Sequence, residues 1–198
     1  MHILIVLANP NETSFNHAIA KQAATTLEQN GHQVTLHDLY KEGFDPNLPG
    51  DEIPREGTLP ETIATQCKEA ADADGIIIVH PNWWGMPPAI LTGWVDRIMR
   101  PGVAYDFVEG DKGEGVPVGL LKADKAIVFN TSNTSAERED TIFGDPLQRI
   151  WKDCIFDLCG VPDVTRRMFR IIVTSTDEER KNWLDEVTEI VEINFPKA

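Results

Sequence analysis

Apolar runs and helical stripes alternate along the chain from its first residues. Ile3 to Leu7 is an unbroken apolar run, the mark of a strand covered on both faces. Asn9-Pro10-Asn11 breaks it. Phe15 to Asn30 then reads as a helix, with Thr13 and Ser14 as capping residues and Gly31 as the glycine just past its end. Val34 to Leu39 predicts a second strand with Asp38 at its carboxyl end. Tyr40 to Leu59, rich in glycine and proline, predicts a long surface excursion pinned by Phe44. Pro60 to Ala73 repeats apolar residues at Ile63, Cys67 and Ala70, one face of a helix. Gly75 to His80 predicts a third buried strand. Pro87 to Met99 predicts a helix on Ile90, Leu91, Trp94, Val95 and Ile98. Pro101 to Asp124 is glycine-rich and irregular. Lys125 to Asn130 predicts a fourth strand, Thr141 to Leu158 a helix ending at Gly160, and Val164 to Val173 a fifth strand. Asp177 to Phe195 predicts a last helix with an acidic start capped at Thr176.

This βαβαβαβαβα order, with mostly continuous apolar strands, predicts a parallel sheet with helices on both faces. Right-handed crossovers leave few topologies. The α/β pattern favours a flavodoxin-like three-layer sandwich, five parallel strands in the order 2-1-3-4-5, with residues 1–198 as one domain. Ligands of such sheets sit outside the carboxyl ends of strands 1, 3 and 4, here Ala8–Phe15, Pro81–Pro88 and Asn130–Ser135.

Each of these loops has its own chemistry. The first leads a buried strand into a helix N-terminus, where amides and the helix dipole favour an anion and two hydroxyls add donors. It has no glycine, so it is neither a dinucleotide fingerprint nor a P-loop. Hydroxyl and amide cradles without Lys or Arg are how flavodoxin-like proteins hold a flavin phosphate. The second loop, His80-Pro81-Asn82-Trp83-Trp84-Gly85-Met86-Pro87-Pro88, offers planar walls for a flat aromatic ligand, with one of the two tryptophans expected to fill core. The third, Thr131-Ser132-Asn133-Thr134-Ser135, supplies amides and hydroxyls suited to charge growing on a reduced ring.

Charge and cysteine usage narrow the picture. With 32 acidic and 18 basic residues the chain carries −14, which disfavours nucleic acid and anionic membrane surfaces. No apolar run approaches the ~20 residues of a membrane helix, so no membrane insertion is expected. Cys67, Cys154 and Cys159 fit no metal or redox spacing and read as buried structural thiols in a reducing compartment. No metal site is expected. With Met1-His2 leading straight into a strand, no signal peptide is expected, and the chain reads as cytoplasmic.

Two motifs together resemble a known family. Leu7-Ala8 with Thr13-Ser14-Phe15-Asn16 and Ala18 resembles the first-loop signature of the NAD(P)H:quinone oxidoreductases, the DT-diaphorase-like family. Pro81-x-x-Trp84-x-x-x-Pro88-Ala89-Ile90-Leu91 with Gly93-Trp94 is similar to its second motif. Ala104-Tyr105-x-Phe107 and Lys122-x-x-Lys125-Ala126 continue the likeness, which runs from Met1 to about Gly160. The resemblance implies a homodimeric flavoprotein that binds FAD in preference to FMN. NAD(P)H delivers hydride and leaves, and a quinone or a nitroaromatic or azo acceptor takes its place. It implies that Asn9, Thr13, Ser14, Phe15 and Asn16 hold the phosphates and adenosine side, with Gln66 near the adenosine. Pro81, Asn82, Trp83, Trp84 and Gly85 flank the isoalloxazine. Thr131, Ser132, Asn133 and Thr134 meet its pyrimidine edge. Tyr105 and Phe107 wall the substrate pocket across the dimer interface.

The chain departs from the family in places. Phe143-Gly144-Asp145 stands where the mammalian enzymes have His-Gly-Asp, their Tyr–His pair is absent, and Thr92 replaces a Lys. Charge on the reduced flavin then falls to the amides and hydroxyls of Thr131 to Ser135. Two other functions fit the same residues: an ancillary regulatory subunit of a potassium efflux system, and a flavodoxin-like electron carrier, which the acidic surface suits.

Overall fold

The computed structural model describes residues 1–108 and 115–197. Its parallel sheet comprises β1 (His2–Leu7), β2 (Gln33–Asp38), β3 (Gly75–Pro81), β6 (Lys125–Ser132) and β7 (Asp163–Arg170), in the order β2-β1-β3-β6-β7. These are the five expected strands in the expected order. The numbering jumps because two short strands, β4 (Tyr105–Val108) and β5 (Val116–Gly119), form a separate antiparallel hairpin.

The continuous apolar runs are two-sided because side chains alternate along a strand. Leu4, Val6, Ile76, Ile78, Ala126 and Val128 face one helical layer, where Trp94 and Trp151 are buried. Ile3, Ile5, Ile77, Val79, Ile127 and Phe129 face the other. The first layer holds α2 (Glu61–Asp72) and α3 (Ala89–Ile98). The second holds α1 (Phe15–Gln29) and α5 (Asp177–Asn194). α5 opens with a reciprocal cap: Glu179 N–H donates to Thr176 Oγ1 at 3.2 Å, and Thr176 N–H donates to Glu179 Oε2 at 2.7 Å.

The excursion after β2 is tied to α3. Arg97 Nε and Nη2 donate to Glu52 at 2.9 and 2.5 Å, with both side chains buried, and Arg97 lies over the Phe44 ring. Gly93 permits the crossing, since a Cβ there would sit 2.1 Å from the Pro46 carbonyl oxygen.

Three expectations need correction. The Pro101–Asp124 stretch contains the β4–β5 hairpin, whose packing requires Gly119 because a Cβ there would meet Gly160 N at 2.2 Å. Residues 109–114 of that stretch lie outside the described residues. The helix expected over Thr141–Leu158 is broken into π-helical turns at Arg138–Ile142 and Arg149–Phe156 around α4 (Pro146–Gln148). Gly144 and Asp145 carry left-handed φ of 71° and 47°, which stops any helix running through them. The wider π turn brings Trp151 and Phe156, five residues apart, into the core together. It also turns Cys154 outward. That thiol is exposed, against the expectation of three buried cysteines, while Cys67 and Cys159 are buried.

Candidate active site

The three loops beyond the strand ends are stitched to one another. Asn82 N–H donates to Thr131 O at 2.7 Å, tying the second loop to the third. Thr131 Oγ1 donates to Asn16 Oδ1 at 3.0 Å, tying the third to the first. Asn9 Nδ2 donates to the same Asn16 oxygen at 2.8 Å. Asn16 is 1% exposed, and its Nδ2 has no hydrogen-bond partner among the described residues. Its oxygen accepts two donors, which sets the orientation of the amide, so an unspent buried donor sits where all three loops meet.

The first loop is prefolded by its own side chains. Asn11 Oδ1 accepts from the Thr13 amide at 3.0 Å and its hydroxyl at 2.8 Å, and Asn9 Oδ1 accepts from the Asn11 amide at 2.9 Å. Ser14 caps α1, and its Oγ lies 2.9 Å from His17 Nδ1. His17 Nε2 lies 3.0 Å from Asp38 Oδ2. The two hydroxyls that the sequence offers as free donors are therefore already engaged, and a ligand must exchange with these partners. The first-turn amides of Phe15 and Asn16 precede any intrahelical acceptor and remain available. No Lys or Arg occurs between Asn9 and Asn16.

The second loop is a tight turn. Trp83 and Met86 exchange both backbone hydrogen bonds, at 3.1 and 2.9 Å, and Trp84 and Gly85 between them have φ of 59° and 73°. That is a I′-like geometry, which ordinarily takes Asn-Gly; Trp in it is strained. Gly85 is further required because a Cβ would meet Pro146 Cγ at 2.7 Å. Both tryptophans are exposed, Trp84 at 96%, so neither fills core. Trp94 and Trp151 do that.

Beneath the loops lies His80, fully buried. Its Nε2 accepts from Trp151 Nε1 at 2.8 Å and Asn130 Nδ2 at 2.9 Å, and its Nδ1 donates to Pro81 O at 2.8 Å. Burial lowers its pKa from 6.5 to about 4, with the nearby Arg166 charge acting in the same direction. His80 is thus a neutral strut of the site floor, as its position just before the Pro81 loop suggests.

A cavity of about 610 Å³ opens beside the second loop. Asn82, Trp84, Gly85 and Thr134 line one side. Arg138, Glu139 and Phe143, from the π-helical segment, line the other. Sequence reasoning missed Arg138 and Glu139. The one available signal was Phe143 at the place of the family's histidine. Behind the wall, Arg166 donates to Gln148 Oε1 at 2.8 Å, to Asn130 Oδ1 at 3.3 Å and to the Asp145 carboxylate.

The structure brings Asn9, Thr13–Asn16, Asn82–Gly85 and Thr131–Thr134 to this end of the sheet. It does not bring Gln66 to the 610 Å³ cavity. Gln66 Oε1 accepts from Trp94 Nε1 at 2.8 Å, and Gln66 lines a separate hollow with Glu42 and Phe44. Tyr105 and Phe107 lie on the hairpin with ring centroids 5.5 Å apart, and Tyr105 lines another hollow with Arg100. Partial burial raises the Tyr105 pKa. Among the described residues, no cluster of three His, Cys, Asp or Glu side chains could hold a metal, and no helix is long and apolar enough to cross a membrane.

A family described as having the flavodoxin-like fold matches residues 1–191. This chain belongs to that family. An uncharacterized NAD(P)H oxidoreductase of Haemophilus influenzae is 32% identical to this flavodoxin-like protein over 189 residues, covering 93% of this chain and 91% of its own. The ribosyldihydronicotinamide dehydrogenase (quinone) of Mus musculus is 28% identical over 202 residues, covering 90% and 85%. A solved structure from Streptococcus mutans is 30% identical, with a TM-score of 0.82, covering 98% of this chain and all of its own.

Proposed function

We propose that this protein is a flavin-dependent oxidoreductase that takes hydride from NAD(P)H and passes it to a quinone or a similar acceptor. Its relatives' names, NAD(P)H oxidoreductase and quinone dehydrogenase, support the reaction class. The observation that carries the flavin is the unspent Asn16 Nδ2, 99% buried where three donor-rich, cation-free loops converge. In the finer reading the cofactor is FAD and turnover is ping-pong.

A flavin held there would supply the hydride chemistry that links the nicotinamide to the acceptor. The chain's own groups bind and orient. The Phe15 and Asn16 amides, with Thr13 and Ser14, would hold the phosphates at the positive end of α1. Asn9 orients the Asn16 amide. Pro81 to Gly85 would flank the ring, with the exposed Trp84 side chain available to pack on it. Thr131 to Thr134 present donors to the edge where negative charge develops. Fixed dipoles of this kind need no reorganisation as the charge appears. In this reading Tyr105 and Phe107 complete the acceptor pocket of a second protomer, and Phe107, Val108, Val116 and Val118 give the hairpin an exposed apolar face for that contact.

The test is the absorbance spectrum and mass of the cofactor released from purified protein, with NAD(P)H oxidation assayed against menadione. A flavin spectrum and menadione-dependent oxidation are expected. Release of FMN would overturn the FAD assignment alone. Bound flavin without NAD(P)H oxidation would favour an electron carrier.

A further inference from the structure

Glu139 has no part in the function described above, and its setting is unusual for a carboxylate. It is 1% exposed, and among the described residues neither Oε1 nor Oε2 has a hydrogen-bond partner. Desolvating an ionised carboxylate without compensation is among the costliest choices a fold can make, so buried acids are ordinarily paired. The backbone allows Glu139 little room to move away. Its amide donates to Ser135 O at 3.0 Å, and its carbonyl accepts from the Asp145 amide at 2.9 Å.

Among the described residues, no Lys or Arg lies within ion-pair distance of the Glu139 carboxylate. Arg166 lies within electrostatic reach of Glu139, yet its guanidinium donates to Gln148, Asn130 and Asp145. Arg170 Nη1 lies 3.8 Å from Asp140, beyond hydrogen-bond distance, and is itself buried without a hydrogen-bond partner among the described residues. Glu139 is one of the residues around the 610 Å³ cavity, together with Asn82, Trp84, Thr134 and Phe143. A carboxylate only accepts hydrogen bonds, so its complement must bring N–H or O–H donors. Trp84 and Phe143 give the same cavity two aromatic side chains, which favour a flat partner.

We propose that Glu139 is a specificity-determining acceptor, receiving the amide-type N–H of a planar heterocycle bound in this cavity. Two molecules share that chemistry: the flavin ring, through its imide N–H, and a nicotinamide, through its carboxamide NH₂. Naming these two rests on the flavin and NAD(P)H reading above; the donor requirement rests on the cavity. The missing partner of Glu139 is then supplied by the ligand, and a ligand without the donor leaves the carboxylate buried and unpaired. That penalty is the source of selectivity.

The full chain and its Glu139→Gln and Glu139→Leu variants test this in two arms, followed by tryptophan quenching. In the first, flavin-stripped protein is titrated with FAD and with N3-methyl FAD. In the second, flavin-loaded protein is titrated with NAD⁺ and with its 3-acetylpyridine analogue, in which a methyl replaces the carboxamide NH₂. In one arm the parent should bind the donor-bearing ligand about ten-fold or more tightly than its methylated counterpart, the equivalent of one charge-assisted hydrogen bond. Glu139→Leu should bring that ratio to about one. Glu139→Gln, which keeps one acceptor oxygen, should fall between. The responding arm identifies the donor. The melting temperature of ligand-free Glu139→Leu should rise, because a buried polar group without hydrogen-bond partners has been removed. If both ratios are untouched by the variants, or the melting temperature falls while selectivity is unchanged, Glu139 is a structural counter-charge and the proposal is overturned. A parent that oxidises NADH with bound flavin yet shows no Glu139-dependent selectivity sinks this assignment alone. A parent that binds neither flavin nor nicotinamide sinks the functional reading and this assignment with it.

Discussion

Mild acid should weaken the floor of the site before it touches the rest of the fold. The group responsible is His80, whose Nε2 already accepts two hydrogen bonds, from Trp151 and Asn130. A proton on that nitrogen would set a donor against two donors inside a fully buried pocket. Burial accordingly lowers its pKa from 6.5 to about 4. In the window between those values the unfolded chain binds more protons than the folded one, so stability rises with pH there and falls on acidification. Working from that shift, the loss relative to pH 8 is about 2 kcal/mol at pH 5 and about 3 kcal/mol at pH 4. The carboxylates held below their ordinary range, such as Asp74 beside Lys122 and Asp106 beside Arg55, lose their contributions only at lower pH. The assay is urea unfolding of the ligand-free chain at pH 8, 6.5 and 5, in parent and in His80→Gln. The variant should be less stable at pH 8, having lost the geometry that joins Pro81, Asn130 and Trp151, but its slope between pH 8 and 5 should be much flatter. A parent whose stability is unchanged between pH 8 and 5, or a variant with the parent's slope, would refute the reasoning.

Other expectations follow from the same geometry. Thr13→Ala with Ser14→Ala should weaken flavin binding by about 1.5–3 kcal/mol by titration, at ~1.5 per charged bond less the local partners released; unchanged affinity would remove that loop from the phosphate site. Trp84→Asn should stabilise the ligand-free chain by about 1 kcal/mol in chemical unfolding, since Asn tolerates a φ of 59° that Trp does not, while flavin or nicotinamide binding weakens. Replacing Cys67, Cys154 and Cys159 together should leave stopped-flow hydride transfer intact: burial pushes the Cys67 and Cys159 thiols up to about 11, and the exposed Cys154 does not line the 610 Å³ cavity. Loss of transfer with flavin still bound would contradict this.

The sequence alone determined the five strands, their order and the three loops that converge at their carboxyl ends. These rest on local properties: apolar runs long enough to be buried on both faces, capping residues such as Ser14 and Thr176, and glycines and prolines between elements. The tertiary structure alone decided who pairs with whom. His80 and Trp151 are 71 residues apart, and Asn16 and Thr131 are 115 apart; no local pattern signals a hydrogen bond across such separations. It also decided exposure. Trp83 and Trp84 sit outward because a left-handed turn aims them there against their own preferences, and Cys154 does so because a π turn rotates its helix face. Most of all it decided that Glu139, one acid in an acidic segment, is buried beside a cavity with no hydrogen-bond partner for its carboxylate among the described residues. Periodicity reports which residues are buried together, whereas the satisfaction of a polar atom depends on every element packed around it.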